Sequence, residues 1–169
     1  YLMKVYRKAY GDMFDVYKKE LKEYGVRFLE NERVYLPEYN IEICGLEIER
    51  YLYKRWFRKP MEEGYIECLL GKAKEERFEL LIGHNPEYFK EYVKWGADLT
   101  VSGHVHGGVV RVPFFGGLIS PSLRIFPEYD GGLFEKQGKK MVLSRGLGMH
   151  TIPLRMLNPG ELVVIHLER

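Results

Sequence analysis

Phe78-Glu79-Leu80-Leu81-Ile82-Gly83-His84-Asn85-Pro86 opens the stretch that decides the fold, and Leu99-Thr100-Val101-Ser102-Gly103-His104-Val105-His106-Gly107-Gly108 closes it. Phe78 to Ile82 is an apolar run broken only by Glu79, which predicts a strand buried on both faces. Asn85-Pro86-Glu87 then supplies a helix N-cap, a first-turn proline and a carboxylate against the helix dipole. The helix is predicted to run to about Trp95 and to stop at Gly96. Leu99 to Val101 reads as the next strand, and it too ends in Gly-His. Strand, helix and strand make a β-α-β unit, and open α/β sheets bind ligands at the carboxyl ends of their strands.

Working outward, Val5, Ala9, Met13, Val16, Tyr17 and Leu21 recur mostly at three- and four-residue intervals. This predicts an amphipathic helix to about Tyr24, weakened at Gly11 and closed at Gly25. Val26 to Leu29 is predicted as a strand, Asn31-Glu32 as a turn, and Arg33 to Leu36 as the hairpin partner, with Ile41 to Leu46 a further strand. Glu47 to Lys59 reads as helical or irregular, and Met61 to Lys74 as a helix with Ile66, Leu69 and Leu70 on one face. Downstream lie a Gly/Pro loop from Pro113 to Pro127, a hairpin of Gly132–Gln137 and Lys140–Ser144 turning at Gly138, and a last strand over Leu162 to Leu167. The class is α/β, with residues 1–169 forming a single domain.

Composition narrows the functional classes. With 46% hydrophobic and 30% charged residues the chain is globular rather than disordered. A net charge of +2, with Lys and Arg spread along the chain, argues against a dedicated nucleic-acid surface. Cys44 and Cys68 are too few for a disulfide framework or a cysteine zinc site, and both are expected to be buried thiols. No apolar run reaches the roughly 20 residues that span a bilayer, and the first residues show no signal-peptide core. A cytoplasmic or membrane-associated location is expected, and an anchor ahead of Tyr1 stays open.

The chemistry centres on the histidines. If His104 and His106 keep extended geometry, their side chains share one side of the chain, with Cβ atoms roughly 6–7 Å apart. That spacing suits two flanking ligands, one for each of two ions held about 3.5–4 Å apart in dinuclear hydrolases. His84 arrives from the neighbouring strand end. An isolated His-x-His is weak evidence of metal. Glycine before both His84 and His104, Gly107-Gly108 after His106 and the shared strand-end placement together predict metal binding.

Gly83-His84-Asn85-Pro86 followed by Ser102-Gly103-His104-Val105-His106-Gly107-Gly108 resembles the last two motif blocks of the calcineurin-like metallophosphoesterases. The resemblance runs from about Lys22 to the C-terminus. Leu143-Ser144-Arg145-Gly146-Leu147-Gly148 and Pro159-Gly160-Glu161-Leu162 also look like the tail of a bacterial phosphodiesterase branch. The resemblance implies half of a four-layer αββα sandwich, a mixed sheet with flanking helices. It implies that His84 and His104 bind one divalent metal and His106 the other, among Mn, Fe, Zn or similar ions. The implied activity is attack of metal-activated water on a phosphomonoester, phosphodiester or pyrophosphate.

The family's earlier blocks, Asp-x-His, Gly-Asp-x-x-Asp and Gly-Asn-His-Asp/Glu, do not occur, so no catalytic residue is assigned. Gly11-Asp12 matches one of them by spacing alone. Val109 stands where the bacterial branch often has glutamine. The chain is therefore read as the C-terminal part of the domain, binding one metal or none by itself and inactive alone. A missing N-terminal half or a dimer partner is expected to cover it.

Arg111, Arg145 and His150 are candidate substrate contacts, since guanidinium suits phosphate and the His150 loop would reach it by folding over the site. The substrate class is a phosphorylated small molecule or a lipid-like phosphoester. His166 is expected to be structural, and Phe114, Phe115 and Ile119 to serve packing. The rival readings are a cupin-like metal-binding β module, or a degenerate, partner-binding remnant of the phosphoesterase fold. A cupin wants a glutamate soon after its second histidine, and residues 107–111 offer none.

Overall fold

A computed structural model describes residues 12–53, 59–108, 110–112, 116–119, 128–148 and 155–168. The elements run α1 (Met13–Glu23), β1 (Glu32–Leu36), β2 (Ile41–Leu46), α2 (Tyr65–Leu70), β3 (Phe78–Gly83), α3 (Phe89–Trp95), β4 (Leu99–Ser102), β5 (Val110–Val112), β6 (Gly116–Ile119), β7 (Gly132–Lys136) and β8 (Lys139–Leu143). Short 3-10 turns stand at Arg50–Tyr53 and Pro86–Tyr88. Six strands form one sheet in the order β1-β2-β3-β4-β8-β7, and β5 and β6 pair as a separate ribbon.

The four central strands β2, β3, β4 and β8 are parallel, and antiparallel β1 and β7 flank them. The α/β class and the mixed sheet with flanking helices are as the sequence predicts. Register puts Cys44, Leu81, Thr100 and Met141 side by side on one face. That face is buried, and Leu46, Leu52, Ile66, Leu70, Tyr88 and Tyr92 complete the core around it.

The opposite face carries Ile43, Leu80 and Leu99 in one register and Ile82, Val101 and Val142 in another, and of these Leu99 alone is buried. Ile43, Leu80, Val101 and Val142 are only half-buried, and Ile82 is 45% exposed. The expectation that β3 is buried on both faces therefore fails among the described residues: its apolar composition is right, but one side lacks full cover.

Other differences have local causes. Val26 to Leu29 is not a strand; it crosses the open face at Gly45, where an added Cβ would stand 2.3 Å from the Leu29 carbonyl oxygen. The true partner of β1 is β2, through the turn at residues 37–40. α2 is shorter than the predicted span because left-handed Gly64 (φ 77°) and Gly71 (φ 75°) bracket it. Cys68 is exposed rather than buried, since Ile66 and Leu70 take the core face of α2 and turn it outward. Leu162 to Leu167 forms no strand and has no ladder partner among the described residues, and His166 within it is exposed.

At the amino end of the sheet, Glu79, 1% exposed, accepts hydrogen bonds from Arg33 Nη2 (2.6 Å), the Lys74 N–H (2.7 Å) and the Cys44 thiol (3.2 Å). Arg33 also donates to Glu42 (2.9 Å) and to the carbonyls of Leu70 and Lys72 (3.0 and 2.7 Å), tying α2 to the sheet. Burial and then the bond to Glu79 push the Cys44 thiol up to about 12. The cluster lies at the opposite end of the strands from the histidines.

Candidate metal centre

The carboxyl ends of the parallel strands form one edge, and the parallel order decides what gathers there. β3 delivers His84, β4 delivers His104 and His106, and β8 delivers Ser144 and Arg145. The Gly103 N–H donates to the His84 carbonyl (3.2 Å), and Ser102 Oγ donates to the Gly83 carbonyl. The two Gly-His ends are thereby locked together one step past the sheet. Glycine suits position 83, because a Cβ would meet the Tyr92 ring at a tight 3.0 Å.

His104 and His106 are not extended. Their φ values are 72° and 50°, and Gly107 (72°) and Gly108 (88°) continue in the left-handed region. Left-handed residues other than glycine persist where surroundings over-determine them, often at functional sites. The side chains are therefore aimed by a turn, and the alternation rule for strands does not place them.

His84 and His104 come together with ring centroids 5.3 Å apart. Tyr53, from the 3-10 turn after β2, sets its ring 5.2 Å from His104 and 6.4 Å from His84. Asn85 holds that turn in place. It is 2% exposed, its Oδ1 accepts from the Glu87 N–H (3.1 Å), and its Nδ2 donates to the Leu52 carbonyl (3.5 Å). The Tyr88 hydroxyl donates to the same carbonyl (2.9 Å), and the Tyr92 hydroxyl to the Asn85 carbonyl (2.8 Å). The Asn-Pro after His84 thus caps a 3-10 turn that leads into α3, which begins later than the sequence predicts, and also anchors an aromatic wall that the sequence did not suggest.

Burial lowers the affinity of the His84 imidazole for a proton, and nearby His106 lowers it further. Burial also lowers that of His106, against a hydrogen bond to the Gly148 backbone and alongside the Arg155 charge. Both rings are accordingly biased to the neutral form that metals bind. With the Gly148 carbonyl taking the proton of one His106 nitrogen, the other carries the lone pair, the arrangement metal-ligating histidines use. The donor chemistry suits part of a divalent-metal site. Among the described residues no group of three or more His, Cys, Asp or Glu side chains is arranged to hold an ion.

Arg145 places its stem against Gly107, whose added Cβ would lie 2.8 Å from it, and its guanidinium on Glu161 (2.7 Å). The side chain of Arg111 and all of His150, Phe114, Phe115 and Val109 lie outside the described residues, as does the side chain of Ile119. Two residues missed in the sequence close the edge. Asn158, 2% exposed, donates to the carbonyls of His106 (2.7 Å) and Gly108 (2.8 Å). Arg155 donates to the carbonyls of Gly148 (2.6 Å), Asn158 (2.8 Å) and Gly146 (3.1 Å).

No family model matches the chain, and no solved structure does. Curated relatives do match. The chain is 31% identical over 102 residues to the "Uncharacterized metallophosphoesterase YkuE" of Bacillus subtilis, covering 60% of this chain and 35% of that protein. It is 31% identical over 148 residues to an "Uncharacterized metallophosphoesterase" of Aquifex aeolicus, covering 86% and 52%. A third, from Helicobacter pylori, is 30% identical over 142 residues, covering 82% and 35%. The chain thus spans between a third and about half of the length of these relatives. Relatives so named, together with an α/β sheet that gathers Gly-His strand ends at its carboxyl edge, place this chain in the calcineurin-like metallophosphoesterase family.

Proposed function

We propose that His84, His104 and His106 serve as ligands of a dinuclear divalent-metal site that hydrolyses a phosphoester, with the remaining ligands supplied from outside this chain. The observation that carries the reading is the gathering of these histidines at one sheet edge, with the proton affinity of His84 and His106 lowered and His106 held by the Gly148 backbone. Divalent ions bound there would acidify water and neutralise phosphoryl oxygens. This chain's part is to orient the imidazoles and to favour the unprotonated form of His84 and His106. Three neutral donors offer no negative charge to bridge two cations, so the chain alone holds one ion or none and turns over no substrate. Arg111, Arg145 and His150 are the proposed contacts to a phosphorylated small molecule or lipid-like phosphoester.

The same reading puts a second sheet on the open face, giving αββα order. Parallel sheets are covered on both faces as a rule. Residues 163–168 already run beside that face, around a cavity of about 770 Å³ lined also by Phe78, Leu99, Leu133 and Val142. Exposure alternates along this tail, at 82% for Leu162, 37% for Val163, 70% for Val164 and 37% for Ile165, a strand's pattern without a strand's partner.

The test is metal analysis and turnover of an aryl phosphodiester by the complete protein, beside a variant with His84, His104 and His106 all changed to Ala. Loss of bound metal and of turnover together is expected. Unchanged turnover in the triple variant would end the proposal.

A further inference from the structure

The turn that carries His104 and His106 lies beyond the β4 ladder, so its backbone needs partners from elsewhere. Asn158 supplies them. Its amide nitrogen bridges the carbonyls of His106 and Gly108, and its Oδ1 lies where a Cβ on Gly107 would come within 2.7 Å. Arg155 works one step further out. Its Nη1 binds the Gly148 carbonyl at 2.6 Å, and the Gly148 backbone is the hydrogen-bond partner of the His106 ring. Nε of the same guanidinium binds the Asn158 carbonyl, and its Nη groups reach those of Gly146, Pro159 and Arg145 at 3.1, 3.2 and 3.4 Å. One side chain therefore fixes the His106 main chain, and the other fixes the acceptor that chooses its tautomer.

We infer that Asn158 and Arg155 are positioning residues for His106, a two-part clamp that sets its backbone and the nitrogen it presents. The inference rests on the reading of His106 as a metal ligand. Neither residue is a ligand itself. Planar amide and guanidinium groups suit the task because each can hold several carbonyls at fixed angles.

The experiment is long-range proton–nitrogen NMR of the histidine rings in the complete protein, for the parent, Asn158→Asp and Arg155→Lys. Asn158→Asp replaces the bridging donor by an acceptor of the same shape, and Arg155→Lys removes the fork. The parent is expected to show His106 as a single tautomer, and both variants a mixture, with the β3 and β4 amide shifts unmoved. Zinc titration of the complete protein carrying the same substitutions is expected to weaken by about 10–100-fold, the usual cost of losing an outer partner of a ligand. A His106 that stays in one tautomer in folded Arg155→Lys overturns the clamp, and that variant decides should Asn158→Asp fail to fold. His106→Ala separates the two claims. If zinc binding ignores that change, the ligand assignment fails, while the tautomer measurement still judges the clamp.

Discussion

Gly107→Ala gives a controlled measure of how tightly the histidine turn is built. Gly107 has φ 72°, and an added Cβ would lie 2.7 Å from Asn158 Oδ1 and 2.8 Å from the Arg145 Cγ and Cδ atoms. Gly138, in the β7–β8 hairpin turn, has nearly the same backbone at φ 74° with nothing within 4 Å of its Cβ position. Left-handed geometry costs an L-residue about 1–2 kcal/mol, so Gly138→Ala should lose about that much. Gly107→Ala bears the same cost and must also push Asn158 off the His106 and Gly108 carbonyls. Two such hydrogen bonds are worth about 0.5–1.5 kcal/mol each, which brings the total to about 2–5 kcal/mol. In thermal unfolding each kcal/mol lowers Tm by about 2–4 °C for a chain of this size, so Gly107→Ala should melt several degrees below Gly138→Ala. Equal melting temperatures would refute the argument that Asn158 and the turn are mutually fitted.

Tyr53→Ala removes the ring beside His84 and His104, and cobalt titration should then show weaker binding and an altered visible spectrum. Tyr53→Phe keeps the ring, so a Phe variant as impaired as Ala would move the role to the hydroxyl. In the native chain a thiol reagent at pH 8 should modify exposed Cys68 alone, with Cys44 reacting only after denaturation; two fast thiols would contradict the buried site. Because the fold holds Cys44 protonated up to about 12, its stabilising contribution is complete below the ordinary thiol value of 9.0 and fades as pH climbs towards 12. The 169-residue chain should self-associate in size-exclusion chromatography through its open apolar face, and Ile82→Glu should shift it towards monomer. A parent chain that is monomeric at high concentration would show that face to be adequately covered.

The central β-α-β unit and both Gly-His ends were legible because burial selects apolar runs and glycine marks where chains approach closely. Ser102 and Gly83 illustrate this: the locked strand ends follow from residue types that a reader can see. Asn158 and Arg155 were not legible, since they act on backbone carbonyls, which every residue carries and no residue type announces. The left-handed histidines were hidden for a related reason. His104 and His106 stand two and four residues beyond the end of β4, where strand alternation no longer holds and the flanking glycines favour a turn. The tail was misread because its composition is that of a strand, but a strand also needs a neighbour, and composition says nothing about that.

The order β4-β8 has a temporal consequence. Ser102 lies opposite Leu143, so this pairing must close a loop that contains the whole β5–β6 ribbon, whereas β3 and β4 join through residues 84–98 alone. Long closures delay folding. His84 and His104 should therefore meet early, while the segment bearing Gly148, Arg155 and Asn158 docks late and gives His106 its final pose. In pulse-labelling exchange, β3 and β4 amides should gain protection before those of β8. A nascent or partly unfolded chain would then display a histidine pair without a finished pocket, and maturation of the centre would be set by the last strand to arrive.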